Sequence, residues 1–280
     1  MLDKRKKVGL ALGGGSARGF AHIGILDVFE KEGIPMDYIC GCSMGALVGS
    51  IYCTGTDLAM LEKLICQVRE KDFFDVTLPR KGLIKGAQFR EFIKILTHNK
   101  SFDEMQIPFS CVACDISAGK TVTFSKGKVY DAVRASISIP GAFEPHFIDG
   151  VMYVDGGVLD IVPIPQTRDM GADVVIAVNV SPAPHRQPVK NRLFDVMMRA
   201  NDLVGHEYKL IKLKEADLLI EPEVANYNPY SNARTAEIIQ AGRVAAQEAI
   251  PAIRELLGIA PPGDVPLLQE GEATSAGGIA

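Results

Sequence analysis

The chain has 280 residues, 47% of them apolar, which is long for one domain, short for two and ample for a sizeable buried core. Its 30 Lys and Arg against 34 Asp and Glu give a formal net charge of −4, and Asp264, Glu270 and Glu272 lie in a tail without a basic residue, so the rest is near neutral and carries no electrostatic footprint for nucleic acid. No apolar run reaches transmembrane length, and the basic start Met1–Lys7 leads into an apolar run, Val8–Leu12, that is too short for the core of a signal peptide.

Val8–Leu12 predicts a strand, and Gly13-Gly14-Gly15-Ser16-Ala17-Arg18-Gly19 a turn after it. Phe20, Ile23, Leu26 and Phe29 then recur at helical spacing until Gly33 ends the helix. Tyr38–Cys42 predicts a second strand, Met44–Cys53 a helix of small residues, and Asp57 the cap of a further helix through Glu70. After a basic, irregular stretch at 71–86, Phe89, Phe92, Ile93 and Leu96 make one apolar helical stripe. Phe109–Ile116 predicts a third strand with a hairpin into Thr121–Phe124, Val129–Ile137 a helix, 138–150 a Pro- and Gly-rich loop, and Met152–Val154 a short strand ending at Asp155-Gly156-Gly157. The β-branched run Asp173–Val180, a helix at Asn191–Glu215, a strand at Asp217–Ile220 and a closing helix at Asn232–Leu257 complete the order. Strands that alternate with helices and are apolar on both faces predict an α/β fold, a mostly parallel central sheet flanked by helices. One domain is expected over 1–258, while 259–280, rich in Gly, Pro, Ala and Glu without periodicity, reads as a disordered extension.

Six cysteines, at 40, 42, 53, 66, 111 and 114, fall in apolar segments, which argues for reduced, buried thiols and a cytoplasmic setting. Cys111-Val-Ala-Cys114 has the spacing of a redox pair or half a zinc site, but no second such pair and no His pair completes a ligand set, so neither metal nor cofactor is expected.

Ser43, within Gly41-Cys42-Ser43-Met44-Gly45, falls at a strand-to-helix turn. Such a turn holds a side chain at the carboxyl edge of the sheet, where open α/β folds place their sites, above a helix N-terminus. Gly41 and Gly45 permit a sharp elbow that exposes the serine oxygen, which makes Ser43 a candidate nucleophile; the plainer reading is an ordinary turn with a capping serine. Gly13, Gly14 and Gly15 offer backbone N–H groups that approach a developing oxyanion without steric interference. A dinucleotide loop is the rival, but Arg18 stands where that fingerprint needs its third glycine, and no acidic residue ends a clean second strand about 20 residues on. Arg18 itself reads as orienting the glycine loop or contacting a phosphate head group, against a plain helix-surface charge. Asp155 before Gly156 and Gly157 reads alone as a turn; paired with an exposed serine it becomes a candidate base.

Together the three motifs, in this order and spacing, resemble the patatin-like phospholipases, and Arg134–Phe143, Pro145 and Gly171–Val178 extend the likeness to bacterial members over residues 8–180. The resemblance implies a lipid acyl hydrolase acting on a phospholipid or other acyl ester through a Ser-Asp dyad. Ser43 would be the nucleophile, Asp155 its base, and Gly13, Gly14 and Gly15 the oxyanion loop. Asp160 departs from the pattern, since relatives usually carry asparagine there. Two other readings stand beside it: a Ser-Asp-His α/β-hydrolase, for which His185 and His206 follow Asp155 in order, and a lipid-binding regulatory protein or adaptor with little turnover. None of the five histidines, at 22, 98, 146, 185 and 206, belongs to a motif, and each reads as a core or surface residue. Without an imidazole relay Asp155 needs desolvation to act as a base, and Phe143 and Phe147 are expected to supply the dry wall. The basic stretch 71–100, with its Phe89, Phe92, Ile93 and Leu96 stripe, reads either as a helix packed on the sheet or as a peripheral contact with an anionic bilayer at the inner membrane surface.

Overall fold

The computed structural model describes residues 5–67, 84–183 and 192–260. Its first half runs β1 (Val8–Leu12), α1 (Ala21–Lys31), β2 (Tyr38–Cys42), α2 (Met44–Cys53), α3 (Leu58–Gln67), α4 (Ala87–Leu96), β3 (Phe109–Asp115) and β4 (Lys120–Phe124). Then follow α5 (Val129–Ser136), β5 (His146–Ile148), β6 (Val151–Asp155), α6 (Ile164–Asp169), β7 (Val174–Val178), α7 (Leu193–Leu213), β8 (Leu218–Ile220) and α8 (Thr235–Leu257). Short 3-10 turns at Ser16–Phe20 and Gly156–Val158 follow β1 and β6.

All eight strands join one sheet in the order β5-β6-β3-β2-β1-β7-β8, with β4 also on β3. The pairs β1 with β2, β1 with β7, β2 with β3 and β7 with β8 are parallel, whereas β4 and β6 on β3, and β5 on β6, are antiparallel. This is the α/β fold that the alternation of elements predicts, with an antiparallel flank. β1, β3 and β7 are buried along their whole length because helices cover both faces. On β1, Val8, Leu10 and Leu12 face a large core shared with α1, α2 and α8, and Ala11 faces a smaller one with Ile164 of α6. Gly9 lies on that second face too, where a Cβ would stand 2.5 Å from Thr167 Cγ2.

Two features of the topology place the site. The chain leaves β1 toward β2 and β3 on one side and reaches β7 and β8 on the other, so the crevice beyond the carboxyl end of β1 is a topological switch point. In addition, β4 occupies one edge of β3 along Cys111–Asp115, so β2 (on Phe109–Val112) and β6 (on Ala113–Asp115) must share the opposite edge end to end. Since β2 runs parallel and β6 antiparallel to β3, their carboxyl ends meet head on: Cys42 lies opposite Val112 and Asp155 opposite the next residue, Ala113.

Several expectations need correction. β5 forms inside the stretch predicted as a loop, and α6 was missed because two prolines flank Ile164; Pro165 sits in the first turn, where no N–H is required. Cys66 is exposed, although the other five cysteines are buried. Cys111 and Cys114, three apart on one strand, point to opposite faces of the sheet and cannot pair. Of the two readings of the basic stretch, α4 follows the packed one, with Ile93 fully buried and Phe89 and Leu96 packed on the main core. Residues 71–83 of that basic stretch, and 261–280 of the tail, lie outside the described residues. Among the described residues no helix is long and apolar enough to cross a membrane.

Candidate active site

Ser43 is the residue between β2 and α2, and it carries φ 52° and ψ −120°, a conformation that L residues rarely adopt. The flanking glycines serve close approach rather than unusual dihedrals. A Cβ at Gly45 would stand 2.1 Å from the Leu12 carbonyl oxygen, and one at Gly41 would stand 2.5 Å from Ala46 Cα. Gly156 is alike: its Cβ would meet Val112 O at 2.6 Å. The helix is thus drawn tight under the sheet edge, and the bend falls on Ser43 itself.

Ser43 Oγ donates to Asp155 Oδ2 at 2.6 Å, and Asp155 Oδ1 accepts the Gly157 N–H at 2.7 Å. The C-terminal end of α5 and the residues after it hold both main chains: Ser136 Oγ accepts the Ser43 N–H at 2.9 Å, and the Ser138 carbonyl accepts the Asp155 N–H at 2.9 Å. Arg134, 2% exposed, fixes that segment. It donates to Ser138 Oγ (2.6 Å), Gly86 O (3.2 Å), Lys85 O (3.0 Å) and Glu144 O (3.1 Å). Burial raises the Asp155 carboxyl from 3.8 to about 6, against the opposite pull of its bonds from Ser43, Gly157 and the Cys42 thiol. The two phenylalanines expected to dry it do not: Phe143 packs against Phe89 and under the Arg134 guanidinium, and Phe147 is exposed. Asp155 is buried instead by its own position at the β2–β3–β6 junction.

In the glycine loop the three amides differ. Gly13 N–H donates to Val178 O at 3.0 Å and Gly14 N–H to Ile161 O at 2.8 Å, so these two fasten the loop to its neighbours. Among the described residues the N–H groups of Gly15 and of Met44, at the start of α2, have no acceptor. Gly14 lies against Ser43, where its Cβ would be 3.1 Å from Ser43 Cβ. Arg18 donates to Tyr227 O at 2.9 Å and to Ala225 O at 3.1 Å, which ties the turn after the glycines to the segment before α8.

His22 is a site residue that its sequence setting concealed. It is fully buried on α1, and its Nε2 lies 2.7 Å from the Gly13 carbonyl. A carbonyl only accepts, so Nε2 carries the proton and the ring is the neutral Nε2–H tautomer. Burial agrees, pushing the imidazole down to about 4. Its signal in the sequence is a polar residue inside the apolar run Ala21–Leu26 that opens α1.

A cavity of about 540 Å³ opens at Ser43 and Asp155. Ser43, Asp155, Gly14 and Gly15 contribute to its lining, with Ile139, Val158, Leu159, Ile161, Val162 and Leu213 as apolar wall. α7 closes one side. Its Lys209 donates to Ser181 O, and its Lys212 pairs at 2.8 Å with the fully buried Asp160, which also accepts from Gln166 at 2.7 Å. The aspartate that departs from the expected asparagine thus comes with its own cation, although burial still raises its carboxyl above the ordinary value. His206 lines the cavity as well, but Ser43 bonds Asp155 directly with no ring between them; His185 lies outside the described residues.

The family model for the patatin-like phospholipases matches residues 10–168. An uncharacterized NTE family protein of Mycobacterium tuberculosis is 35% identical over 177 residues, 62% of this chain and 49% of that protein. Lysophospholipase NTE1 of Coccidioides immitis is 33% identical over 189 residues, 65% of this chain but 12% of the fungal protein. The chain therefore spans at most about half the length of these relatives. Among solved structures, VipD of Legionella pneumophila superposes with a TM-score of 0.62 over 89% of this chain and 67% of VipD, at 14% identity. ExoU of Pseudomonas aeruginosa, in complex with SpcU, gives 0.53 over 90% and 53%, at 11% identity. At such identities the likeness is one of fold. The family match covers more than half of the chain and takes in the end of β1, the glycine loop, the serine elbow and Asp155, and on that ground the chain belongs to the patatin-like phospholipase family.

Proposed function

We propose that the protein hydrolyses acyl esters of phospholipids or lysophospholipids through a Ser43–Asp155 dyad. The observation that carries this reading is the 2.6 Å bond from Ser43 Oγ to Asp155 Oδ2 beside an apolar-walled cavity. The family match and the fungal lysophospholipase relatives support a lipid ester as substrate.

In the first half-reaction Ser43 Oγ bonds to the ester carbonyl carbon while Asp155 Oδ2 takes its proton, and the carbonyl oxygen becomes an oxyanion. The unengaged amides of Gly15 and Met44 are the donors for that charge, the second aided by the N-terminal dipole of α2. Collapse expels the alcohol, which leaves with the proton from Asp155, and the acyl group stays on Ser43. Water then attacks the acyl carbon as Asp155 takes its proton; the second collapse frees the carboxylic acid and returns the proton to Oγ. A carboxyl at about 6 is ionised at neutral pH yet more basic than a solvated one, which suits a base working without histidine. Gly13 and Gly14 shape the loop, and His22 positions it through the Gly13 carbonyl.

The test is release of fatty acid from lysophosphatidylcholine and from a short-chain soluble ester by the wild type and by Ser43→Ala. Turnover by the wild type and its loss in a folded Ser43→Ala support the reading. A wild type that binds lipid and cleaves neither ester would make the chain a binding protein.

A further inference from the structure

The amphipathicity of α7 is inverted. Three of its polar residues turn toward the protein: Lys209 is buried against Ser181 O, Lys212 reaches buried Asp160, and His206 lines the cavity. Its apolar residues turn to solvent. Leu193, Val196, Met197, Val204, Tyr208 and Ile211 recur at three, four and seven along the helix and form one outward stripe, with Leu193 78%, Val204 76% and Ile211 65% exposed. A helix on a globular surface does the reverse, so this stripe calls for an apolar cover. Two further observations say which. Met197, Val204 and Tyr208 also line the cavity that holds Ser43 and Asp155, so the stripe reaches from the outer surface into the cavity. The exposed charges beside the stripe, Arg192 and Lys214 against Glu207 and Glu215, balance, so its fit is to the acyl boundary of a bilayer, where aliphatic side chains enter and Arg192 and Lys214, at the two ends of the helix, stay at the head groups.

We propose that the outward face of α7 docks on the surface of a lipid bilayer and sets the cavity mouth against it. The proposal rests on the acyl hydrolase reading, to which it adds the partner and the docking element. An acyl chain leaving the bilayer would then pass along Met197 and Val204 into the cavity that holds Ser43.

The test uses the full chain and two side chains of the stripe that do not line the cavity, in the double variant Leu193→Glu with Ile211→Glu. Vesicles of phosphatidylcholine should sediment the wild type, and added salt should leave that binding in place, since apolar insertion is not screened. In the double variant, partitioning should fall roughly tenfold or more, the scale of withdrawing two inserted aliphatic side chains. Turnover of a soluble short-chain ester should persist, and Leu193→Met with Ile211→Leu should bind vesicles like the wild type. Vesicle binding indifferent to the Glu pair would overturn the proposal, as would no vesicle binding at all. So would a wild-type dimer that the Glu pair dissociates, since a second copy would then be the cover. If the stripe governs vesicle binding but no ester is cleaved, the hydrolase reading fails and the docking stands; if esters are cleaved and the stripe is indifferent, only the docking fails.

Discussion

Replacing Asp155 with asparagine should make the protein inactive and, above pH 6, more stable. Burial lifts this carboxyl from 3.8 to about 6, a displacement of about two pH units, and at about 1.4 kcal/mol each the ionised group costs the fold about 3 kcal/mol. The sign follows from proton binding. Between 3.8 and about 6 the folded state holds a proton that the unfolded state has lost, so stability falls as pH rises through that window, and the full cost is present above it. Asparagine removes the charge and keeps the contacts: its Oδ1 still accepts from Gly157 and its Nδ2 donates to Ser43 Oγ. Denaturant unfolding should therefore show Asp155→Asn more stable than wild type by up to about 3 kcal/mol near pH 8, with the gap closing toward pH 4. Ester hydrolysis in the same samples should fall by several orders of magnitude. An asparagine variant with wild-type turnover, or a stability difference that ignores pH, would refute the reasoning.

The same carboxyl sets the rate profile: kcat/KM on a soluble ester should rise with pH through about 6 and then level, and a flat profile across that range would contradict Asp155 as the base. Ser43→Gly and Ser43→Ala should both be inactive, but the glycine variant should be the more stable by about 1–2 kcal/mol in denaturant titrations, because φ 52° is open to glycine and strained for alanine. His22→Leu leaves the buried Gly13 carbonyl without its donor and should lower kcat by roughly tenfold or more at unchanged KM, the kinetic mark of a displaced oxyanion loop. His206→Ala, at the cavity wall but off the dyad, should stay within about tenfold of wild type in the same assay.

Local pattern was enough to find the elbow. An apolar strand, a serine between glycines and a helix of small residues follow one another within sixteen positions, and the structure has β2, Ser43 and α2 there. Asp155 was different. It stands 112 residues further on, and its meeting with Ser43 depends on β2 and β6 sharing one edge of β3, which no periodicity encodes; by composition it reads as a turn, beside an exposed serine as a candidate base, and the dyad is what the family likeness implies. The glycine loop was legible as a loop, but which amide remains unengaged is decided by Val178 and Ile161, far along the chain. Ser136 and Arg134 lay inside a recognised motif without a role, because what they hold is the backbone of distant residues. α7 was legible as a helix. Its orientation was not, since an apolar stripe ordinarily implies burial and here it faces out.

The central claim, that Ser43 is a nucleophile activated by Asp155, is tested most directly by fluorophosphonate labelling with the adduct located by mass spectrometry. A fluorophosphonate phosphonylates an activated serine with loss of fluoride, as an ester would acylate it. The account predicts one adduct on Ser43 in the wild type, none in Ser43→Ala, and a rate reduced by orders of magnitude in Asp155→Asn. A Ser43 that stays unmodified in the folded wild type, or that labels equally fast without the Asp155 carboxylate, would contradict it.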